Sequence, residues 1–446
     1  MFRKMEDVVK ALSTVRLAQS VLTSVVVVLA LLGSPTKSAA QYLPTPTCSW
    51  PFEWTAFGLG NWLFPDIGNR WWYMPIDPQW ETLTITGVYP AARFFSFAVY
   101  DDAPVATALA DHLFDAQIVP DPGSVNPFDP AASPTAGSKT YTITVTRTDG
   151  TGNNELRLNS ESGWLLYRLY LPNAGQGSMG GVPLPSATIT DPQGQVTTLP
   201  TCLTVNRQSE LAVVQPLFVP TLLENPPPTP RVPDHIWFAP LPSPPVRLLP
   251  NPDNKYMVSY FMSDYEPGRI IVIRGKMPAF PDTYRGAPVS QPAPGFGAVQ
   301  LRYWSMCLGA LVSPLPITGC AVDADTPLDE ERFYTIVISN DVLRPHWLSR
   351  ENVWLPWGDE QMSPKTIFLR NTLPSSDFGH SVQRAVENGC GVEFNFPTPP
   401  NQDGITESGQ CTRNVMGDYY PVAVWCDKDV FSQSGWEACF KEAGVE

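Results

Sequence analysis

Short runs that alternate between apolar and polar residues recur along most of the chain, separated by clusters of Gly, Pro, Asn and Asp. A period of two predicts strands that bury one face, and the clusters predict turns between them. The predicted strands are residues 83–88, 93–100, 141–146, 164–171, 256–262, 270–273, 300–307 and 334–339. Helices are predicted only at residues 378–387, with Ser376 or Asp377 as the N-cap, and at residues 429–441. The pattern indicates an all-β protein with two antiparallel β-sandwich or jelly-roll-like domains and few short helices.

Four short segments recur in the same order in the two halves of the chain, which predicts an internal duplication. Each half contributes a strand that ends in a glycine and a proline, an arginine-led aromatic strand, a Y-T-I strand and a strand with an arginine before L-P. In the first half they are TITGVYP (84–90), RFFSF (93–97), YTITVT (141–146) and LYRLYLP (166–172). In the second half they are VIRGKMP (272–278), RYWSM (302–306), YTIVIS (334–339) and FLRNTLP (368–374).

Proline marks the boundary between the halves. The chain has 49 prolines, and they are densest between residues 225 and 250. Proline lacks the amide donor that helices and central strands need, so this stretch is predicted to run as an extended, stiff spacer. We therefore assign a first domain to residues 41–222, a proline-rich linker to 223–250 and a second domain to 251–446. The interleaved Ile236, Trp237 and Phe238 indicate that the linker docks on a domain.

The first 40 residues have the pattern of a secretory signal peptide. A basic region precedes the apolar run VLTSVVVVLALL (21–32), and small residues follow at Ser38 and Ala40. The apolar run is short for a membrane span, which needs about 20 residues. The expected location is therefore secreted, or periplasmic and cell envelope, with no membrane insertion beyond this segment. Retention of the segment as an N-terminal anchor is the alternative.

All eight cysteines follow the predicted signal peptide, and an even number in an exported chain indicates disulfides. A zinc site is disfavoured because the chain contains no C-x-x-C pair. Sequence order and loop closure favour four pairings, one of them long and three local. They are Cys48 with Cys202, Cys307 with Cys320, Cys390 with Cys411, and Cys426 with Cys439.

The repeated segments also resemble the bacterial family known as domain of unknown function 1214, in two divergent copies. The resembling segments are 93–101 (RFFSFAVYD), 141–146 and 167–172 in the first half, and 302–306, 334–339, 352–356 (NVWLP) and 370–374 in the second. The first half has Ser162-Gly163-Trp164 in place of the family's N-W-L-P element. The second half adds an insertion and six cysteines. The resemblance implies a jelly-roll-like antiparallel sandwich and does not imply a particular activity.

Charge and motifs exclude several classes of function. The net charge of −14 argues against nucleic acid and anionic membranes as partners, since phosphate neutralisation needs a basic face. No G-x-S-x-G elbow or phosphate loop occurs, and the four histidines are far apart, so no metal and no cofactor are predicted. Paired carboxylates for glycoside chemistry remain open at Asp264 with Glu266 and at Asp101 with Asp102, although acids at strand ends are ordinary turn formers.

Arginines inside aromatic strands are the most informative polar residues. A charged group on a buried face needs a partner, because an unpaired buried charge is costly. Either an internal carboxylate pairs with each arginine, or the arginines grip the carboxylate or hydroxyls of a ligand while aromatic rings stack on it. The candidate ligand-binding residues are Arg93, Trp164, Arg168, Tyr170, Arg302, Trp304 and Arg370.

Aromatic residues are also dense between Trp50 and Trp80, where ten large rings fall within 31 residues. Core packing explains most of them, and the others are predicted to line a groove or to pack on the second domain. We therefore expect a secreted protein that binds carbohydrate or another small polar-aromatic ligand in an aromatic and arginine-lined cleft. A secreted hydrolase or lyase acting on glycans is one alternative, and a structural cell-envelope protein is the other. The sequence leaves the oligomeric state open.

Overall fold

The computed structural model describes most of the chain after the predicted signal peptide, with gaps. The described residues are 45–102, 108–131, 138–148, 152–203, 234–242, 249–259, 262, 265–312, 314–393 and 401–445. The predicted signal peptide and most of the predicted linker therefore lie outside the described residues. About 40% of the structure is strand and 15% is helix, as the sequence pattern predicted.

Residues 52–199 form two five-stranded sheets. In sequence order their strands are β1 (Phe52–Thr55), β2 (Asn69–Ile76), β3 (Thr82–Val88), β4 (Ala92–Asp101), β5 (Leu109–Phe114), β6 (Thr140–Thr146), β7 (Glu155–Arg157), β8 (Gly163–Pro172), β9 (Ser186–Thr190) and β10 (Val196–Leu199). One sheet has the order β1-β2-β8-β4-β5, and the other has the order β10-β9-β3-β6-β7.

Residues 235–427 form two more five-stranded sheets. Their strands are β11 (His235–Ile236), β12 (Phe238–Pro240), β13 (Asn254–Ser259), β14 (Arg269–Lys276), β15 (Leu301–Ala310), β16 (Ile317–Val322), β17 (Phe333–Ser339), β18 (Val353–Pro356), β19 (Lys365–Pro374) and β20 (Val422–Asp427). The sheet orders are β12-β13-β19-β15-β16 and β11-β20-β14-β17-β18. Part of the predicted linker thus supplies the edge strands β11 and β12, where a neighbouring proline costs no ladder bond.

The two pairs of sheets share one topology. Strand order matches position by position, and the pairs β6–β7 and β17–β18 are parallel where the other strand pairs in these sheets are antiparallel. The outer sheet of the second pair differs in the origin of two strands. Strand β20, from the C-terminal region, takes the place that β9 has in the first, and β11, from the predicted linker, takes the place of β10. Each pair encloses its own buried apolar cluster, one around Phe95, Phe97 and Tyr167 and the other around Trp304 and Ile336.

Three α-helices lie in the C-terminal part of the described chain: α1 (Val382–Glu387), α2 (Gln402–Met416) and α3 (Lys428–Glu442). The first and third were predicted, although Ser381 caps α1 and not Ser376 or Asp377. Helix α2 was not predicted, because its sequence QDGITESGQCTRNVM is largely polar and holds two glycines. Among the described residues, none of the helices is long and apolar enough to cross a membrane.

All four predicted disulfide pairings are confirmed. Cys48 bonds to Cys202, and the remaining six cysteines pair with the next cysteine in sequence. Two of these bonds fix helices to the second half: Cys390–Cys411 holds α2, and Cys426–Cys439 joins α3 to β20. A chain with four disulfides fits an oxidising compartment.

Candidate functional site

Two of the predicted ligand-binding arginines form reciprocal ion pairs between the two halves. Arg93, in β4, places its Nη1 2.9 Å from both carboxylate oxygens of Asp323 in the second half. Arg302, in the equivalent strand β15, places its Nη1 3.0 Å from both carboxylate oxygens of Asp115 in the first half. The same surface of each half therefore contacts the other, as in a two-fold symmetric interface.

These pairs are buried, and their charges compensate each other. The side chains of Arg93, Asp323 and Asp115 are fully enclosed, and Arg302 is 12% exposed. Burial raises the pKa of Asp323 and raises that of Asp115 to about 6, while the facing arginine opposes the rise in each case. Each carboxylate also accepts a backbone N–H from a strand of its own half. Asp115 accepts from Phe95 in β4, and Asp323 accepts from Trp304 in β15. Removal of one partner would leave a buried charge unpaired.

The other two predicted arginines also lie at this junction. Arg370 places its Nη1 2.9 Å from Asp66, and its Nη2 donates to the carbonyl of Phe64. Arg168 donates from Nη2 to the Tyr100 hydroxyl at 2.6 Å and to the Leu249 carbonyl at 2.9 Å. Both guanidinium groups are therefore bound by groups of the opposite half or of their own sheet.

The three predicted aromatic residues are buried as well. Tyr170 accepts a hydrogen bond from Asn251 at 3.0 Å and contacts Tyr303 with ring centroids 5.3 Å apart. Trp304 packs on Tyr334, and Trp164 is 2% exposed. The structure thus places all seven predicted residues in the interior with protein partners. For Arg93, Arg302 and Arg370 this arrangement matches the internal-pairing alternative, because each has a carboxylate partner. Arg168 is bound instead by a tyrosine hydroxyl and a backbone carbonyl.

The aromatic run near Trp50 divides between core and junction. Trp50, Trp54, Trp62, Trp71 and Trp72 are at most 5% exposed. Phe64, a residue of the first half, packs edge-on against Phe368 of the second half, with ring centroids 5.2 Å apart. The run therefore packs on the second half as predicted, and Phe57, which is 60% exposed, lies at the surface.

Two of the carboxylate candidates, Asp101 and Glu266, have structural roles. Asp101 accepts backbone N–H groups from Asn159 and Ser160, and Glu266 pairs with Arg269 at 2.8 Å. Asp264 lies outside the described residues. One cluster of metal-ligating type occurs in the described part of the chain, formed by Asp66, Cys307 and Cys320. The two cysteines are bonded to each other, so they offer no thiolate to a metal.

An open groove lies on the outer sheet of the second half, between that sheet and helices α2 and α3. Its volume is about 930 Å³, and a neighbouring lobe of about 650 Å³ shares four of its lining residues. The aromatic walls are Trp237, Phe333, Tyr420, Trp436 and Phe440, and the polar lining includes Arg274, Glu331, Gln410, Arg413, Asn414 and Asp418. Its volume is within the range of small-molecule sites.

Arg274 organises the floor of this groove. Its guanidinium lies 4.1 Å from the centroid of the Trp436 ring and 4.9 Å from that of Phe333. The same group donates to Thr335 at 3.1 Å and forms an ion pair with Asp329. Cation–π contact with Trp436 and a fixed guanidinium together hold the indole in one orientation.

Trp237 forms the opposite wall of the groove and packs closely against Gly409 in helix α2. A Cβ at Gly409 would lie 2.8 Å from the Trp237 ring and 3.1 Å from the Phe238 carbonyl, so only glycine permits this close approach. Tyr420 binds the residue next to Trp237, because its hydroxyl accepts a hydrogen bond from the Phe238 amide at 2.8 Å. Both helical walls are also disulfide-bonded to the rest of the second half, so the groove is preformed.

His235 lies at the edge of the second lobe, with its ring 4.0 Å from that of Trp237. Burial, together with the nearby charge of Arg413, lowers the pKa of His235 to about 4. Its Nε2 is buried and has no hydrogen-bond partner among the described residues. The neutral ring is therefore the form that this environment favours.

Sequence reasoning missed the groove. Trp237 was singled out only as a docking residue of the linker, and Arg274 lies within a repeated segment that was used only for comparison. Trp436 and Phe440 are four residues apart in a predicted helix, a spacing that puts both rings on one face. Arg413 could not be identified as a groove residue from the sequence, because helix α2, which contains it, was not predicted.

Comparisons with known proteins add little to this geometry. No family model matches the chain, and no curated protein matches it. An uncharacterised protein from Burkholderia cenocepacia has a TM-score of 0.45 at 13% identity over 73% of this chain and 78% of that chain. The VPA0106 protein from Vibrio parahaemolyticus has a TM-score of 0.35 at 12% identity over 69% and 85%. An anti-sigma factor domain-containing protein has a TM-score of 0.16 at 9% identity over 74% and 83%. The resemblance to the domain of unknown function 1214 family stays a prediction.

Removal of the carboxylate from a junction pair should strongly destabilise the protein. We expect Asp323→Asn to lower the free energy of unfolding by about 3–5 kcal/mol, because Arg93 then remains buried without a counter-charge. Asp115→Asn should give a similar loss through Arg302. Urea unfolding at pH 7 measures both. The control is Glu387→Gln, which breaks the exposed pair with Arg384 and should cost about 0–1 kcal/mol. Equal effects of the buried and exposed variants would contradict the proposed role of the junction.

His235 should make the protein less stable as the pH falls. Its folded-state pKa of about 4 lies below the ordinary value of 6.5, so the unfolded chain binds more protons between these values. Stability from this group is present above pH 6.5 and is lost toward pH 4. Because His235 is only partly buried, we expect about 1–2 kcal/mol.

The measurement is the free energy of unfolding at pH 7 and pH 4.5 for the wild type, His235→Gln and His346→Gln. His346 is exposed, so it is the matched control. His235→Gln should reduce the loss between the two pH values, and His346→Gln should not. An unchanged loss in His235→Gln would show that His235 does not titrate in this window.

Proposed function

We propose that this chain is a binding protein for carbohydrate, or for another small polar-aromatic ligand, and that the ligand binds in the groove beside helices α2 and α3. The observation that carries the proposal is the groove itself. It is open, about 930 Å³ in volume, and lined by indole rings next to guanidinium, amide and carboxylate groups. The residues in this proposal differ from those predicted by sequence, but the proposed chemistry of an aromatic and arginine-lined cleft is the same.

The lining suits sugar rings in particular. A sugar presents an apolar face, which packs on an aromatic ring, and a rim of hydroxyls, which both donate and accept hydrogen bonds. Trp436 and Trp237 supply the rings, while Gln410 and Asn414 on the exposed side of α2 supply amides. Opposite charges are mixed in the groove, so it favours a neutral, hydroxyl-rich ligand over a strongly charged one.

The wider context supports an exported protein. The predicted signal peptide at residues 1–40 and four disulfides suit a secreted or periplasmic protein. Matching strand orders and reciprocal ion pairs favour a duplication of one sandwich unit. The groove would then be an addition to the second copy, since helices α2 and α3 form its walls.

A glycan hydrolase or lyase is the second candidate. Glu331 and Asp418 both line the groove, and paired acids are what glycoside cleavage requires. If a bound sugar is consumed, Glu331→Gln and Asp418→Asn should each abolish the turnover. If the sugar is bound and recovered intact, the binding function stands without the enzymatic one.

Sugar binding should depend on Trp436. We would screen the mature chain from Gln41 by thermal unfolding against neutral sugars, uronic acids and aromatic glycosides. A ligand at about 100 times its Kd stabilises a protein by about 2.7 kcal/mol, which such a screen detects. For the sugar with the largest shift, we expect Trp436→Ala to weaken binding by about tenfold or more in calorimetry, because it removes the stacking surface.

The matched control is Phe57→Ala, which removes an exposed aromatic ring outside the groove and should leave the affinity unchanged. Both variants should be compared with the wild type by thermal unfolding without ligand to establish that they fold. No shift with any sugar would reject the proposal and favour the structural cell-envelope alternative. A shift that Trp436→Ala leaves intact would place the sugar elsewhere.

A further inference from the structure

Arg168 differs from its counterpart Arg370 in its binding partners at the junction. The two arginines have equivalent positions: Arg168 is opposite Ser96 and Trp71 in its sheet, and Arg370 is opposite Ser305 and Tyr256. Each donates from Nη2 to a backbone carbonyl of the opposite half, from Arg168 to Leu249 and from Arg370 to Phe64.

At Arg370, a carboxylate from the first half, that of Asp66, completes this arrangement. Asp66 accepts from Arg370 Nη1 at 2.9 Å, from the Tyr303 hydroxyl at 2.8 Å and from the Ser305 hydroxyl. All four side chains are fully buried or nearly so. One acidic side chain thus neutralises the arginine and satisfies two hydroxyl groups.

At Arg168, the residue equivalent to Asp66 is Asn251, which lies in the second half as Asp66 lies in the first. Both residues are three positions before the first residue of an equivalent strand, and both accept a backbone N–H two residues ahead. Asn251 is neutral and donates to the Tyr170 hydroxyl at 3.0 Å. It therefore supplies no charge to Arg168.

Arg168 is fully buried, yet it has no carboxylate partner among the described residues. Its Nε and Nη1, the Trp71 Nε1 and the Ser96 hydroxyl are all buried without a hydrogen-bond partner in the described part of the chain. The Trp71 ring lies 5.4 Å from the guanidinium. These unpaired groups can all donate, they lie on three adjacent strands, and one of them carries a positive charge. Such a set is costly unless an anion or another acceptor satisfies it.

We propose that Arg168, Ser96 and Trp71 form a binding site for a small monovalent anion, such as a carboxylate or chloride. The anion would have the role at Arg168 that Asp66 has at Arg370. This site is in the junction and is independent of the groove in the second half. It would stabilise the contact between the halves, because Leu249 of the opposite half already binds the same guanidinium.

The test exchanges the anion for a built-in carboxylate. Thermal unfolding of the mature chain is measured at constant ionic strength in sodium gluconate, whose anion is too bulky for a buried site, with increasing chloride or acetate. We expect a saturable rise of the wild-type unfolding midpoint by a few degrees. Asn251→Asp should unfold at a higher midpoint than the wild type in gluconate alone, and should no longer respond to chloride or acetate.

Two further variants complete the experiment. Asn388→Asp adds the same charge at an exposed position and should keep the wild-type response. Asp66→Asn should create a second anion dependence at Arg370. A wild-type midpoint that is the same in gluconate, chloride and acetate would overturn the proposal. So would an Asn251→Asp variant that responds as the wild type does, because the anion would then bind elsewhere. A response to only one of the two anions would identify which chemistry the site takes.

Discussion

The structure depends on an exchange of buried charges between its two halves. Arg93 has its carboxylate in the second half, and Arg302 has its carboxylate in the first. A buried ion pair adds little to stability compared with apolar packing, but the loss of one partner is severe. Neither half can therefore move away from the other without leaving a charge unpaired in a low-dielectric environment. The exchange fixes the register of the halves, and it accounts for Arg93 and Arg302 in otherwise aromatic strands.

The outer sheets of the two halves differ in their outward residues, and this difference accounts for the groove in the second half. The outward positions of β3 are Thr82, Thr84 and Thr86, which are partly exposed or exposed. The equivalent positions of β14 are Ile270, Val272 and Arg274, and the first two are buried in a cluster with Phe431 and Phe440 of α3. An apolar outer face needs a cover, and a threonine face does not. The groove is the place where this cover, helices α2 and α3, leaves the sheet accessible around Arg274.

Local patterns were sufficient for much of the fold. Alternation located the central strands, and short spacing between cysteines gave the three local disulfides, because loop closure favours neighbours. The partner of each arginine could not be read in this way. Arg370 and Asp66 are more than 300 residues apart in sequence, and only the topology brings them together. Helix α2 was missed because a disulfide, an Asn401 cap and tertiary packing stabilise a polar sequence that has little helical preference of its own.

Arginines beside aromatic rings thus have two different roles in one chain, and exposure separates them. At the junction, groups from both halves enclose the guanidinium groups, so the neighbouring aromatic rings pack around a buried charge. At the groove, Arg274 is 14% exposed and its ion pair with Asp329 lies at the surface, while the Trp436 ring that it holds lines an open space. A sequence pattern of arginine among aromatics predicts the pairing of these side chains. Whether the pair faces protein or solvent is decided by what covers the sheet, which in this chain is a feature of the C-terminal helices.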